Sequence, residues 1–507
     1  MRTFDIVLIK PWFESPLRPN FSRILENLIS KLRNSEENIR HYFIPRKTSS
    51  QDISFYFKAS KIIDITNKWP LPYGLLCIAN FLEKFGYSTK VVSLDYEKRK
   101  LKSNKESWLR KVLTKYVKRS NIIGVTCTSP EYEEAIEILK IVKEIDPTTI
   151  TVIGGPHVTF LSKEVAREPC VDIVVRGEGE KTTLELLNAI ESNKSLKKVK
   201  GITFKEGGKI FFTPPQKLLE ANEIPMPAYH LLPKNARKKF VIYTMFSRGC
   251  PYNCLNCVET RFWKGIRFRN VNSCIEELKM LEEKFKVQFI HLADSYFFAN
   301  KKFVQKIYRG ILKEGINLLI SCNIRPDFFK TIQISFLKKL VTKTNFIEFI
   351  MGVESGSDKI LTILNRKHTI EDTRTSLKTL RNLPVFIRTN WMVGCPGETH
   401  QTVAESINQM KYLFSKNYMF DAAPRHFVPL PGLEPFYKPS KYGIIFRKFK
   451  WRECNRFLPI HKTAWLSEYD IFSYVLLMHF IRLDYFIKIT NKKDEINHIL
   501  SNIQLFS

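Results

Sequence analysis

The stretch Arg248-Gly249-Cys250-Pro251-Tyr252-Asn253-Cys254-Leu255-Asn256-Cys257 sets three cysteines at C-x3-C-x2-C spacing. Thiolates so spaced can hold three irons of a [4Fe-4S] cube and leave the fourth iron without a protein ligand. That open iron is a coordination site for a substrate or a second cofactor. A zinc knuckle and three buried structural cysteines are the competing readings. Zinc would want a fourth Cys or His within a few residues, and none lies between Cys257 and Cys274. Gly249-Cys250-Pro251 reads as a tight turn after the apolar strand Val241 to Phe246, which puts the cysteines on a loop at a strand end.

Downstream of this loop the chain alternates strand-like and helix-like runs. Strands are expected near residues 289–293, 317–322, 346–353, 386–393 and 425–430, with helices between them. With the strand ahead of Cys250 these make six β/α units, which predicts a partial parallel (β/α)6 barrel carrying the cysteine loop at its first strand's carboxyl end. A parallel barrel gathers its strand ends around one mouth. Those ends read Asp294-Ser295-Tyr296, Arg325-Pro326-Asp327, Gly352-Val353-Glu354-Ser355-Gly356-Ser357 and Val393-Gly394-Cys395-Pro396-Gly397-Glu398-Thr399.

The cysteine spacing and these runs resemble the radical SAM enzymes. The resemblance implies that the open iron chelates the amino and carboxylate groups of S-adenosylmethionine and that the cluster reduces its sulfonium to a 5'-deoxyadenosyl radical. Glu354 and Ser355 match the motif around the ribose and amino acid portion, and glycines such as Gly394 make room for adenine. A guanidinium, Arg325 or Arg388, can pair with the methionine carboxylate. A turn-forming or scaffold role competes at each position, at Asp294 above all. The residue before the third cysteine is commonly aromatic in this family. Here it is Asn256, with Tyr252 and Phe262 the nearest aromatics, a change that weakens the expected adenine pocket.

Upstream, residues 1–190 alternate strands near 5–10, 90–94, 121–127, 150–154 and 172–176 with amphipathic helices, the pattern of a doubly wound, Rossmann-like parallel sheet. Residues 13–69 are too long for an ordinary connection and read as a partly helical insertion. Open α/β sheets bind ligands at the carboxyl ends of their strands. Those ends carry Thr126-Cys127-Thr128-Ser129-Pro130, Gly154-Gly155-Pro156-His157 and Gly177-Glu178-Gly179-Glu180. Paired glycines allow close approach of a bulky ligand, and hydroxyls such as those of Thr126 and Ser129 can bond its polar edge; a plain tight turn also explains a Gly-Gly pair.

Taken in order with Pro72-Tyr73-Gly74-Leu75 and Gly124-Val125-Thr126, these segments resemble the cobalamin-binding domain of cobalamin-dependent radical SAM proteins. The resemblance implies cobalamin lodged between the two domains and, as the leading reaction, C-methylation. The D-x-H-x-x-G element that supplies a cobalt-ligating His in other cobalamin proteins is absent, and the only histidines of the domain are His41 and His157. Radical cyclisation or rearrangement, as in anaerobic tetrapyrrole ring cyclases, is the alternative reaction. A non-catalytic cobalamin or redox sensor is the alternative from another class. Methylthiotransferases carry a second cysteine triplet in the N-terminal domain, and Cys77, Cys127 and Cys170 are not so arranged.

The expected organisation is a cobalamin-binding domain over 1–190, a linker over 191–235 marked by Pro225 and Pro227, a radical SAM barrel over 236–440 and a C-terminal helical region over 441–507. The apolar run Ile471 to Ile481 is too short to cross a bilayer. A strand-like start without a basic n-region and unclustered buried cysteines predict a cytoplasmic protein. The net charge of +31 reads as a solvated surface or as an attraction for anionic partners. A flavodoxin or ferredoxin is expected as electron donor, no nucleic acid is expected, and the substrate class stays open among small molecules, lipids and peptides.

Overall fold

The computed structural model describes residues 3–12, 71–97, 104–233, 242–419, 421–455 and 458–490. The insertion expected at 13–69, with His41, lies outside them. In the N-terminal half, apolar runs form β1 (Ile6–Lys10), β2 (Thr89–Ser93), β3 (Ile122–Thr126), β4 (Ile150–Gly154) and β5 (Ile173–Val175). Their residues are buried almost throughout, as strands covered on both faces must be. They pair in parallel in the order β2-β1-β3-β4-β5. Helices Tyr73–Glu83 and Gly179–Glu191 pack on one face, and helices Lys105–Val117 and Tyr132–Ile145 on the other. Strand order reverses between β1 and β3, so the sheet has its topological switch point there.

The stretch expected as a linker from residue 191 is in part sheet. β6 (Ile202–Glu206) pairs antiparallel with β5, and β7 (Lys209–Phe212) pairs antiparallel with β6, extending the sheet to seven strands. Gly207 and Gly208, both at positive φ, supply the two-residue hairpin turn that makes this possible. The true connection begins after it and lies along the first helix: Ala228 N donates to Leu76 O at 3.0 Å, and Asn80 Nδ2 to Met226 O at 2.5 Å.

The second half adds β8 (Ile242–Thr244), the antiparallel pair β9 (Ser247–Gly249) and β10 (Ile266–Phe268), then β11 (Phe289–Leu292), β12 (Leu319–Ile324), β13 (Phe346–Glu354), β14 (Phe386–Val393) and β15 (Asp421–His426). β8 and β11 to β15 form one parallel sheet ordered β15-β14-β13-β12-β11-β8. β15 starts four residues before the expected strand because Asp421, polar and loop-like in sequence, is buried in ion pairs with Arg388 and Arg482. One continuous apolar core runs from Leu8 and Leu75 through Tyr229 and Phe246 to Phe349 and Met410, joining the two halves.

The C-terminal region is a hairpin, β16 (Ile444–Phe446) with β17 (His461–Thr463), followed by helix Glu468–Thr490 rather than helix alone. Among the described residues no helix is long and apolar enough to cross a membrane. The last helix is fastened to β15 by Arg482, whose Nε and Nη2 donate to both oxygens of buried Asp421 at 2.5 and 3.1 Å. Removing one partner of such a pair strands a buried charge, so Arg482→Ala should lower stability by about 3 kcal/mol. Arg388, 3.5 Å from the same carboxylate, keeps the loss at the low end. A denaturant midpoint unchanged from wild type would contradict this.

Candidate cofactor site

The cysteine loop is set by the β9–β10 pair, in which Arg248 opposes Arg267 and Gly249 opposes Ile266. Gly249 has φ +87°, and a Cβ there would collide with the carbonyl oxygen of Gly265, so only glycine can precede Cys250. Leu255 N donates to Leu364 O at 2.9 Å and Asn365 Nδ2 to Asn253 O at 2.8 Å, tying the loop to the segment after β13. Cys254 is buried, while Cys250 and Cys257 are half-buried. Burial raises the thiols of Cys250 and Cys257, the latter to about 12, so a metal would have to displace their protons. Among the described residues no His, Cys, Asp and Glu side chains converge tightly enough to hold a single metal ion. A cube instead takes its ligands at separate corners, which suits three cysteines on one open loop. Asn256, in the expected aromatic position, donates to Met392 Sδ at 3.7 Å.

Strand ends of the second sheet converge on this loop. Arg325 lies with its guanidinium 3.6 Å over the Tyr252 ring and pairs with Asp327 at 2.9 Å; Tyr252 Oη donates to Asp327 at 3.2 Å. Arg366 Nη2 donates to Gly352 O at 2.8 Å and lies 3.5 Å from Glu354 Oε1. Glu354 itself sits at φ +70°, an uncommon conformation for a side chain of its size, which turns the chain at the end of β13. Tyr252, Arg325 and Glu354 are thus brought to the cysteines, and Arg366 joins them unforeseen.

Between the two halves lies a cavity of about 1130 Å³ including its open mouth. Its floor is one face of the first sheet, where every second residue points the same way: Ile6 and Leu8, Gly124 and Thr126, Val152 and Gly154, Val175 and Gly177. Gly155, Pro156, Glu178 and Gly74 border it, and Met245, Arg248, Phe262 and Trp263 reach it from around the cysteine loop. A Cβ built on Gly74 or Gly177 would meet no atom within 4 Å, so at both positions the missing side chain leaves open space. A mostly apolar floor with a few polar groups at the rim fits a large flat ligand with polar edges, such as cobalamin.

The two halves are also locked by charge. Arg248, two residues before Cys250, donates from Nη1 to Glu178 at 2.9 Å and from Nη2 to Glu180 at 2.5 Å, all three residues being buried. Arg267 donates to the same Glu178 at 2.7 Å and to Leu219 O. Glu178 therefore clamps the cysteine loop to the cavity wall.

Six expected site residues are engaged elsewhere. His157 and Ser129 turn toward each other, Ser129 Oγ and His157 Nδ1 being 2.9 Å apart. The His157 ring packs on Tyr132 and Trp451, not in the cavity, and burial lowers its pKa to about 4. Asp294 is spent on backbone support: it accepts from Phe246 N at 3.0 Å and from Ser247 Oγ, fixing the strand that leads into the loop, while burial raises it to about 6. Ser355 bonds Ser406 Oγ inside the helix packing. Arg388 pairs with Glu348 and Asp421 near the strands' amino ends, away from the mouth, so it cannot take the methionine carboxylate. Gly394, at φ +85°, spends its N–H on Glu398 and its carbonyl on His461 and acts as a turn.

Glu398 is fully buried, bonded through Oε2 to Gly394 N and Cys395 N, with Oε1 unpartnered among the described residues. Burial raises its pKa from 4.5 to about 8. A raised folded value means that stability is full below about pH 4.5 and is lost as pH climbs through 8. Glu398→Gln lacks that dependence, so its Tm advantage over wild type should widen from pH 6 to pH 9. Parallel Tm curves would contradict the assignment.

The model of the B12 binding domain matches residues 65–187, and that of the radical SAM superfamily residues 244–410. The chain belongs to the radical SAM proteins that carry a cobalamin-binding domain. It is 31% identical over 360 residues to an uncharacterized methyltransferase of Pyrococcus horikoshii, covering 69% of this chain and 76% of the relative. It is 28% identical over 428 residues to the anaerobic magnesium-protoporphyrin IX monomethyl ester cyclase of Rubrivivax gelatinosus, covering 82% of this chain and 73% of that one. The fold is shared with the radical S-adenosylmethionine methyltransferase TsrM of Kitasatospora setae, solved with cobalamin and a [4Fe-4S] cluster. The TM-score is 0.65 at 15% identity, over 94% of this chain and 90% of that one. Cobalamin, S-adenosylmethionine and an iron-sulfur centre go with this membership.

Proposed function

We propose that the protein is a methyltransferase acting on an unactivated carbon, with a [4Fe-4S] cluster on Cys250, Cys254 and Cys257, S-adenosylmethionine at the cluster and cobalamin in the cavity between the halves. The observation that carries this reading is the shared wall, in which Met245, Arg248, Phe262 and Trp263 beside the cysteine loop close over the floor of the first sheet. When bound, these cofactors supply reductive cleavage of a sulfonium and delivery of a methyl group, and the protein supplies position and exclusion of water. Thr126, Gly154, Gly155, Pro156, Gly177 and Glu178 would hold cobalamin. Tyr252, Arg325 and Glu354 would border S-adenosylmethionine. The second sheet is read as a partial barrel whose mouth admits the substrate. An acidic, low-potential flavodoxin or ferredoxin suits the net charge of +31 as electron donor.

Each methyl drawn from S-adenosylmethionine leaves one S-adenosylhomocysteine. Anaerobically loaded protein given reductant and S-adenosylmethionine should therefore release both S-adenosylhomocysteine and 5'-deoxyadenosine. Only 5'-deoxyadenosine would favour the cyclase reading, which the Rubrivivax relative supports, and neither product would favour a sensor. A further expectation concerns the cavity itself. Gly74→Phe replaces a helical glycine, a change that aids the helix by no more than about 0.5 kcal/mol, and fills open space. Cobalamin absorbance should vanish from the purified variant while iron content is kept; full cobalamin occupancy would remove the cavity as its site.

A further inference from the structure

Cys254 differs from the other two cysteines of the loop in having two guanidinium groups aimed at its sulfur. Arg366 Nη1 lies 3.6 Å and Arg325 Nη1 4.0 Å from Sγ, and all three side chains are buried. Both arginines are held in place through their other nitrogens. Arg325 uses Nε and Nη2 on Asp327, donates from Nη2 to the Arg366 carbonyl, and lies flat on Tyr252. Arg366 uses Nη2 on Gly352 O and faces Glu354 with the same nitrogen. Arg366 Nε has no hydrogen-bond partner among the described residues, and the Nη1 group of each arginine points to the same sulfur.

We propose that Arg325 and Arg366 are positioning residues that raise the reduction potential of the iron-sulfur cluster through N–H···S contacts at its Cys254 corner. The inference rests on the reading of the three cysteines as cluster ligands. Hydrogen bonds to the sulfurs, net charge and burial are the levers by which a protein sets such potentials. On reduction one electron passes from a low-potential one-electron donor to the oxidised cluster; the donor is oxidised by one electron, and no bond or proton changes hands. The added negative charge arises beside two fixed cations in a buried site, where their attraction is little screened. Together they make the reduced state easier to reach for a donor that must also serve sulfonium cleavage.

The test is a potentiometric titration of anaerobically loaded wild type, R325Q, R366Q and R366K, read by the EPR signal of the reduced cluster. S-adenosylmethionine is left out, so that a role in holding that cofactor would not register. At the potential where wild type is half reduced, R366Q should show a reduced-to-oxidised ratio about tenfold lower, equivalent to about 59 mV for one electron. R325Q should shift in the same direction by less, because Asp327 pairs with Arg325 more closely than Glu354 does with Arg366 and its Nη1 lies farther from Sγ, and R366K should fall between R366Q and wild type. Ratios for loaded R325Q and R366Q within threefold of wild type overturn the proposal. Should R366Q hold no cluster, R325Q decides by the same threefold limit. A wild type with no reducible cluster removes the reading of the cysteines itself, and this inference with it.

Discussion

Cys254→Ala should abolish the visible absorbance of the reconstituted cluster and reduce 5'-deoxyadenosine formation to the level of a mixture without protein. The expected loss exceeds the about 100-fold that follows removal of a mere outer-shell partner of a metal site, because an iron loses its protein ligand outright. Of the three loop cysteines Cys254 is also the buried one, lying between Arg325 and Arg366. No other sulfur replaces it. Cys274 sits buried in helix Val271–Glu283 and packs in the core. Cys274→Ala is the matched control, expected to keep both cluster and product. Iron and acid-labile sulfide per chain, with product quantified by mass spectrometry, check the pair. A Cys254→Ala protein that kept four irons would mean that the ligand assignment is wrong.

The second large effect is expected at Arg248. Its guanidinium spans Glu178 and Glu180 across the boundary of the two halves, and Arg248→Ala leaves Glu180 buried without that partner. Breaking a buried pair from one side costs about 3–5 kcal/mol. The loss should appear twice: as a lower denaturant midpoint and as weaker cobalamin binding, because Arg248 and Glu178 both border the cavity. Arg248→Lys keeps the charge but lacks the fork that reaches two carboxylates, so it should recover little. Adding Glu180→Gln to Arg248→Ala removes the stranded charge and should restore part of the stability. If the double variant were no more stable than the single one, the loss would have another origin.

Much of this arrangement was legible in the sequence, for reasons that differ from residue to residue. The cysteine triplet is local, and Gly249 before it announces a turn that sterics enforce. Strand ends of parallel sheets face a common mouth by topology, which is why Thr126, Gly154 and Gly177 at the cavity and Glu354 at the end of β13 could be named in advance. What no periodicity carries is the direction of a loop side chain. His157 follows the same strand as Gly155, yet it turns under Trp451, almost 300 residues away in the chain, where its ring packs on an aromatic shelf and its Nδ1 meets Ser129. Asp294, a strand-end candidate for which a scaffold role competed most strongly, braces the chain at Phe246 and Ser247.

The missed pieces had signals of a weaker kind. Glu206-Gly207-Gly208-Lys209 between two alternating runs is a hairpin signature, and it turns the expected linker into β6 and β7. Arg248 in a short strand had to find a buried anion, and Glu178-Gly179-Glu180 offered two. Pairing them required knowing that the two halves meet at that point. Arg366 lies on no strand end and follows a short helix, so nothing in its neighbourhood pointed to Cys254.

An iron-sulfur centre with one corner open to a small ligand underlies the proposed chemistry, and EPR of the dithionite-reduced, anaerobically reconstituted protein tests for it most directly. A signal from a reduced [4Fe-4S] cluster that changes shape when S-adenosylmethionine is added is the predicted result. Bound zinc, the absence of a cluster after iron and sulfide are supplied, or a cluster spectrum indifferent to S-adenosylmethionine would contradict it.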